Sequence, residues 1–180
     1  MKNQNFFKDK YKLKRLYLEK LSINHLDDIH EYSTNNLFFK YFEYQSFKKK
    51  HETKKYIVSK LRDVKNKKSL WWSIKLKVNQ KIIGTICIHN INFSRNTCEI
   101  GYGINPDYWG KGYFVETLKG ILKVILKKNR FLRCQAVTSK KNLPSINGLK
   151  RCGFKIEGVM KKYYASKKKN FDAVILAITI

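Results

Sequence analysis

The stretch with the most chemical content runs Glu99-Ile-Gly-Tyr-Gly-Ile-Asn-Pro-Asp-Tyr-Trp-Gly-Lys-Gly-Tyr-Phe-Val-Glu-Thr-Leu118. Its pattern predicts a strand over Cys98–Ile104, a stop at Pro106, and a turn, Gly110-Lys111-Gly112, that leads straight into an amphipathic helix from about Tyr113 to Lys128. Unpaired backbone N–H groups at a helix start, together with the helix dipole, make an anion site suited to a diphosphate. Glycines let that backbone come close to a ligand, and Lys111 adds a positive charge. The same glycines also fit a plain tight turn. The segment is neither a Walker loop, which needs G-x-x-x-x-G-K-[ST], nor a dinucleotide fingerprint. Glu116, in the first helical turn, suits the dipole and is read as structural.

Other reactive residue types are scattered. His25, His30, His51 and His89 share no ligand spacing, and Cys87, Cys98, Cys134 and Cys152 form no C-x-x-C pair. Neither a metal site nor a disulfide framework is expected, and the cysteines read as core thiols of a reducing cytoplasm.

The elements that must position the Gly-rich segment follow from periodicity. Leu16–Leu21 alternates as a first strand, Ser22 or Asn24 caps a helix through His25–His30, and a second helix covers Phe47–Val64. Between them, Phe38-Phe39-Lys40-Tyr41-Phe42 is either core or the wall of a substrate cleft. Trp71–Val78 and Ile82–His89 form a hairpin, with one tryptophan ring in the core and the other at a surface. Arg133–Thr138 is a further strand, Pro144 opens a short helix ending at Cys152-Gly153, and Val159–Tyr164 with Phe171–Ile178 closes the chain. The resulting order, β-α-α-β-β-β-α-β-α-β-β, is an α/β fold: a mixed, mostly antiparallel central sheet flanked by helices. One domain spans residues 1–180, with 1–14 a flexible or loosely packed lead.

Composition narrows the partners. The 180 residues carry 39 Lys+Arg against 13 Asp+Glu, a formal charge of +26, and 14% are aromatic. That charge fits anionic partners, namely nucleic acid, an acidic protein surface or a phosphorylated cofactor, and it equally fits a lysine-coated solvated surface. Lys161-Lys162-Tyr163-Tyr164 and Lys167-Lys168-Lys169 interleave base and ring in a way compatible with weak nucleic-acid contact, or form a solvated hairpin tip. No apolar run approaches a membrane span, and the first fifteen residues lack a secretory core. No membrane association is expected.

Taken together, EIGYGINPDYWGKGYFVETL, Asn142-Leu-Pro-Ser145 and Arg151-Cys-Gly-Phe-Lys-Ile-Glu-Gly158 resemble the GNAT superfamily of acetyl-CoA-dependent N-acetyltransferases. Within it they are most similar to the RimJ/RimL branch, whose members acetylate amino-terminal amines of ribosomal proteins. The resemblance implies the GNAT (acyl-CoA N-acyltransferase) fold, acetyl-CoA as cosubstrate, no metal, and a monomer or homodimer. It places the pyrophosphate loop on Trp109, Gly110, Lys111, Gly112, Tyr113 and Phe114. Phe114 stands where the family prefers Gly or Ala: a ring turned into the sheet leaves its amide free, a ring turned outward obstructs the cofactor. Ile104 matches the strand position that pairs with pantetheine and aims an amide at the thioester oxygen, where it would stabilise an oxyanion. Asn142 and Ser145 match positions near the pantetheine arm and sulfur.

Acetyl transfer by direct attack needs a neutral amine and a proton source for the departing thiolate. Ser145 is the candidate donor, directly or through water, since Leu149 occupies the place of the tyrosine many GNAT enzymes use; its alternative is a helix-start hydroxyl. Glu99 is the candidate base, or else a surface strand carboxylate. Glu157 reads as part of the strand turn. An α-amine of pKa about 7.7–8.0 is roughly 10–15% neutral at pH 7, against below about 0.1% for lysine. A weakly equipped base therefore fits a protein amino terminus as acceptor. The alternatives are a small-molecule amine and a catalytically inactive, nucleic-acid-binding relative.

Overall fold

The computed structural model describes residues 7–126, 131–165 and 170–180. Two strands, β1 (Lys10–Lys12) and β2 (Leu16–Lys20), lead through a 3-10 turn (Ile23–His25) into helices α1 (Leu26–Ser33) and α2 (Lys50–Lys65). Then follow β3 (Leu70–Leu76), β4 (Ile82–Asn92), β5 (Thr97–Ile104), α3 (Tyr113–Ile125), β6 (Arg133–Ser139), α4 (Leu143–Arg151), β7 (Lys155–Tyr164) and β8 (Phe171–Thr179). The strands make one sheet in the order β1-β2-β3-β4-β5-β6-β8-β7. Every neighbouring pair is antiparallel except β5–β6, which is parallel with α3 as its crossover. This is the expected mixed, mostly antiparallel sheet with helices on both faces.

Periodicity explains the layers. Leu118, Ile121, Leu122 and Ile125 recur at helical spacing on α3, and with Ile146 and Leu149 of α4 they pack on Leu16, Ile74, Ile86, Ile100 and Leu176 of one sheet face. Ile29 of α1 and Ile57 of α2 cover the other face at Leu21 and Ile82. Residues 82–88 of β4 are all buried, as a strand clothed on both faces requires. Trp72 is core, whereas Trp71 lines a cavity on the α1–α2 face.

Boundaries differ from the sequence reading where side-chain hydrogen bonds intervene. Helix α2 starts at Lys50 and not at Phe47, because the Glu52 carboxylate accepts the N–H groups of Lys48 and Lys49 and so caps the helix there. Strand β7 begins at Lys155, four residues earlier than its alternation suggests, carried there by pairing with β8. Strand β1, three residues of Lys-Tyr-Lys, was not visible in the pattern; Phe7 and Tyr11 secure it by packing on Trp72, each 6.0 Å away between ring centres. The described part of α3 ends at Ile125, and the Lys167–Lys169 run lies outside the described residues. Among the described residues no helix is long and apolar enough to cross a membrane.

Glu19 ties the first three strands, accepting from Lys10 on β1 at 2.6 Å and Lys75 on β3 at 2.8 Å. Burial opposes its ionisation, but hydrogen bonds from the two lysines outweigh that and hold the carboxyl below its ordinary value. A carboxyl lowered by folding stabilises fully above its unfolded pKa, and the contribution fades as pH falls through the folded pKa. The melting-temperature gap between wild type and Glu19→Gln is therefore expected to be widest near neutrality. It should close as pH drops below about 4.3, the ordinary glutamate value; a gap constant with pH would refute the ionic role.

Candidate functional site

The site begins where two strands part. β5 and β6 pair only at Thr97↔Arg133, Cys98↔Cys134 and Glu99↔Gln135. Beyond that, β5 continues along β4 to Ile104 and β6 along β8 to Ser139, leaving a wedge between them. A cleft of about 700 Å³ opens there, with Ile104, Gly110, Gly112, Phe114, Asn142 and Ser145 in its wall.

The open edge of β5 carries unpaired backbone. Asn105 N–H donates to Ile83 C=O on the β4 side, and N–H groups alternate sides along a strand. The Ile104 N–H therefore points away from β4, into the wedge. Ile104 C=O, on the same side, accepts the indole N–H of Trp109 at 2.6 Å, which folds the loop back over the strand end.

The loop at the helix start needs its glycines. Gly110 and Gly112 have φ of 74° and 77°, and Gly112 is the N-cap of α3. The first N–H groups of α3 have no partner inside the helix, and they belong to residues that line the cleft, Tyr113, Phe114 and Val115. Arg15, entering from the lead of β2, braces this end. Its backbone N–H and Nε donate to the two Glu116 oxygens at 2.6 and 2.7 Å, and its Nη1 donates to Lys111 C=O at 2.9 Å. Its guanidinium also lies 4.3 Å over the Tyr113 ring. Lys111 turns elsewhere: its ammonium donates to Asp107 C=O at 2.9 Å and is not part of the cleft wall.

Phe114 points inward. Its ring sits 4.3 Å from that of Tyr102 and occupies the space that a Cβ on Gly148 would need. The bulk at this position is thus stored between α3, α4 and β5, and the Phe114 ring does not stand in the loop.

Asn142 caps α4 by accepting the Ser145 N–H at 3.3 Å. With the cap supplied by Asn142, the Ser145 hydroxyl is released to pair with the Tyr102 hydroxyl at 2.6 Å. Ser145 is 7% exposed. Burial drives the Tyr102 phenol well above its ordinary range, with the Ser145 hydrogen bond a smaller opposing effect, so it stays protonated.

Glu99 stands apart, at the closed end of the wedge. It accepts from Asn90 Nδ2 at 3.1 Å and Gln135 Nε2 at 3.3 Å, and lies 3.8 Å from His89 Nε2. It is in neither cavity wall, although its neighbours His89 and Asn90 line the cavity under α1 and α2. Glu157 is paired with Arg133, whose hydrogen bond holds its carboxyl below the ordinary value. The structure thus gathers Ile104, Trp109, Gly110, Gly112, Tyr113, Phe114, Asn142 and Ser145 around one cleft, and leaves Lys111 and Glu99 outside its wall.

Two residues were missed in the sequence. Tyr102 alternates with Ile100 and Ile104 and so had to share their face, a signal that strand periodicity carries. Arg15 lies 101 residues before Glu116 and gives no local sign of its role. Among the described residues, no group of three His, Cys, Asp or Glu side chains is placed to hold a metal.

Comparison with known proteins agrees with this geometry. The uncharacterized N-acetyltransferase YnaD of Bacillus subtilis is 28% identical over 165 residues, 92% of this chain and 94% of its own. The uncharacterized N-acetyltransferase p20 of Bacillus licheniformis is 27% identical over 107 residues, 59% of this chain and 60% of its own length. The microcin C7 self-immunity acetyltransferase MccE, solved with acetyl-CoA and AMP, shares the fold at a TM-score of 0.88 and 21% identity, covering 99% of this chain and 100% of that one. RimL, a ribosomal L7/L12 α-N-protein acetyltransferase solved with coenzyme A, does so at 0.86 and 17%, covering 95% and 98%. Residues 15–155 match the acetyltransferase (GNAT) domain. A match over that much of the chain makes it a member of the GNAT family, the N-acetyltransferases that use acetyl-CoA.

Proposed function

We propose that this chain transfers the acetyl group of acetyl-CoA to the α-amine of a protein amino terminus in the cytoplasm, as a RimJ/RimL-like enzyme. The observation that carries the acceptor class is the shortage of free carboxylate in the cleft. Among the described residues of its wall the one carboxylate is Glu43, and it is engaged by the Ala165 N–H at 2.9 Å. An acceptor that meets no strong base must supply its own neutral fraction. An α-amine does so at neutral pH, roughly several hundredfold better than lysine. The RimL neighbour, named for α-N-protein acetylation, supports the same reading. The MccE neighbour, solved with AMP, supports a second one, a small-molecule amine.

In this reading the helix start of α3 and the loop from Trp109 to Phe114 receive the diphosphate of acetyl-CoA. Asn142 and Ser145 flank its pantetheine arm. The amine lone pair attacks the thioester carbon while the Ile104 N–H takes up the charge developing on oxygen. The carbon–sulfur bond breaks, the sulfur takes its proton from Ser145, which Tyr102 orients through their 2.6 Å hydrogen bond, and water returns a proton to Ser145. The proton lost by the amine leaves through water towards Glu99, which stands behind His89 and touches no substrate.

Steady-state kinetics on a peptide amine test these roles. Ser145→Ala is expected to lower kcat by about 10²-fold or more. Tyr102→Phe lowers it less, and the double variant falls no further than Ser145→Ala because the two act in series. Glu99→Gln costs below about tenfold, since it acts through water. A kcat/KM that rises with pH and levels off near about 8 fits an α-amine; one still rising near about 10 fits lysine and would refute the acceptor class.

Cofactor binding is tested apart from turnover. Acetyl-CoA at about 100 times its Kd is expected to stabilise the wild type by about 2.7 kcal/mol in thermal unfolding. Gly112→Ala, forcing a side chain into left-handed backbone at a strain of roughly 1–3 kcal/mol, is expected to raise the Kd measured by calorimetry. No thermal response to acetyl-CoA would sink the proposal.

A further inference from the structure

A second cavity, about 430 Å³, lies on the α1–α2 face of the sheet. It shares Phe38, Phe42, Tyr44, Gly101, Tyr102 and Gly103 with the main cleft, so it opens where an attacking amine has to stand. Its floor is the stretch of β5 that bears no side chain: a Cβ on Gly103 would come within 2.6 Å of Phe38 Cζ, and one on Gly101 within 2.9 Å of Cys87 Sγ. Rings make its walls. Phe38 stacks on Phe42 at 5.5 Å, Phe42 meets Tyr44 at 5.4 Å, and Tyr56 stands edge-on to Trp71 at 6.2 Å.

Aromatic walls can hold either a cation or a flat neutral group. Here the Tyr56 and Trp71 rings already carry a cation. Lys60 Nζ sits 5.3 Å from the centre of Tyr56 and 5.6 Å from that of Trp71. Lys68 also lines the cavity, and Asp63, the carboxylate among the described lining residues, lies 3.9 Å from the Lys60 ammonium. Burial holds the Tyr56 hydroxyl un-ionised, so it adds no negative charge. At the inner end Glu99 is held by Asn90 and Gln135. A cationic arm would meet two ammonium groups, whereas an apolar one meets rings.

We propose that this cavity holds the side chain next to the attacking amine and selects a neutral, apolar one. At a protein amino terminus that means an aromatic first residue or methionine, whose thioether also packs well on rings. The assignment rests on the acetyltransferase reading above. Burying such a side chain is worth about ten- to a hundredfold in kcat/KM.

The test is coenzyme A release by the full chain with acetyl-CoA and four peptides that differ only at the first residue, Phe, Met, Ser or Lys, beside phenethylamine and spermidine. Phe and Met peptides are expected to exceed Ser by about ten- to a hundredfold and Lys by more. Lys60→Glu, which reverses the charge at the cavity wall, is expected to shift the Lys-to-Phe ratio at least about tenfold towards Lys. Equal rates across the peptides, or an unchanged ratio in Lys60→Glu, would overturn the pocket assignment while leaving the transferase intact. Phenethylamine outrunning every peptide would overturn the amino-terminal acceptor and point to a free arylalkylamine. No release with any amine would overturn the transferase reading itself.

Discussion

The constraint on which this molecule depends is that β5 and β6 pair for three residues and then separate. A parallel pair closed along its whole length would bury its own hydrogen-bonding groups and leave nothing for a ligand. Parting after Glu99 and Gln135 exposes the edge of β5 on one side while β4 holds it firmly on the other. The crossover helix α3 is required by the parallel connection, and its N-terminus falls beside the gap it bridges. One topological choice therefore supplies an extended edge for an extended arm and a helix start for an anion.

β5 also divides the site into two compartments. Ile100, Tyr102 and Ile104 face α3 and α4, where Tyr102 meets Phe114 and Ser145. Glu99, Gly101 and Gly103 face α1 and α2, where missing side chains let Phe38 lie directly on the backbone. Gly84 is part of the same close fit, since a Cβ there would overlap the Gly103 carbonyl. The period-2 alternation of a strand thus separates the Tyr102–Ser145 hydroxyl pair from the ring-lined cavity on the other face.

Much of this was legible in the sequence because it was local. The Gly-rich turn, the helix after it and the Asn142–Ser145 helix start are contiguous patterns, and the element order followed from alternation and helical spacing. What escaped were interactions of long sequence separation. Arg15 braces Glu116 across 101 residues, and β1 is a strand only because β2 and Trp72 hold it. Phe114 could be read either way from sequence, and the answer came from Gly148, a residue on another helix whose missing Cβ receives the ring. Glu99 is held by Asn90 on β4 and Gln135 on β6 beside His89, partners that its residue type alone does not reveal.

The charge balance underlies the proposal that hydroxyls carry the proton chemistry. With 13 acidic residues against 39 basic ones, carboxylates are scarce. The fold places many of them in structural work: Glu19 between strands, Glu52 on a helix cap, Glu116 on Arg15, Glu157 on Arg133, Asp172 on Lys161. Glu19, Glu52, Glu157 and Asp172 are held below their ordinary carboxyl values by their partners and are poor candidates for taking a proton from a substrate. The hydroxyls of Ser145 and Tyr102 remain, buried and bonded to each other, and in the proposed reaction they serve the departing sulfur, since a hydroxyl does not strip a proton from an ammonium at neutral pH. That scarcity is what the proposed acceptor rests on: a cleft so equipped suits an amine that is already partly neutral when it arrives.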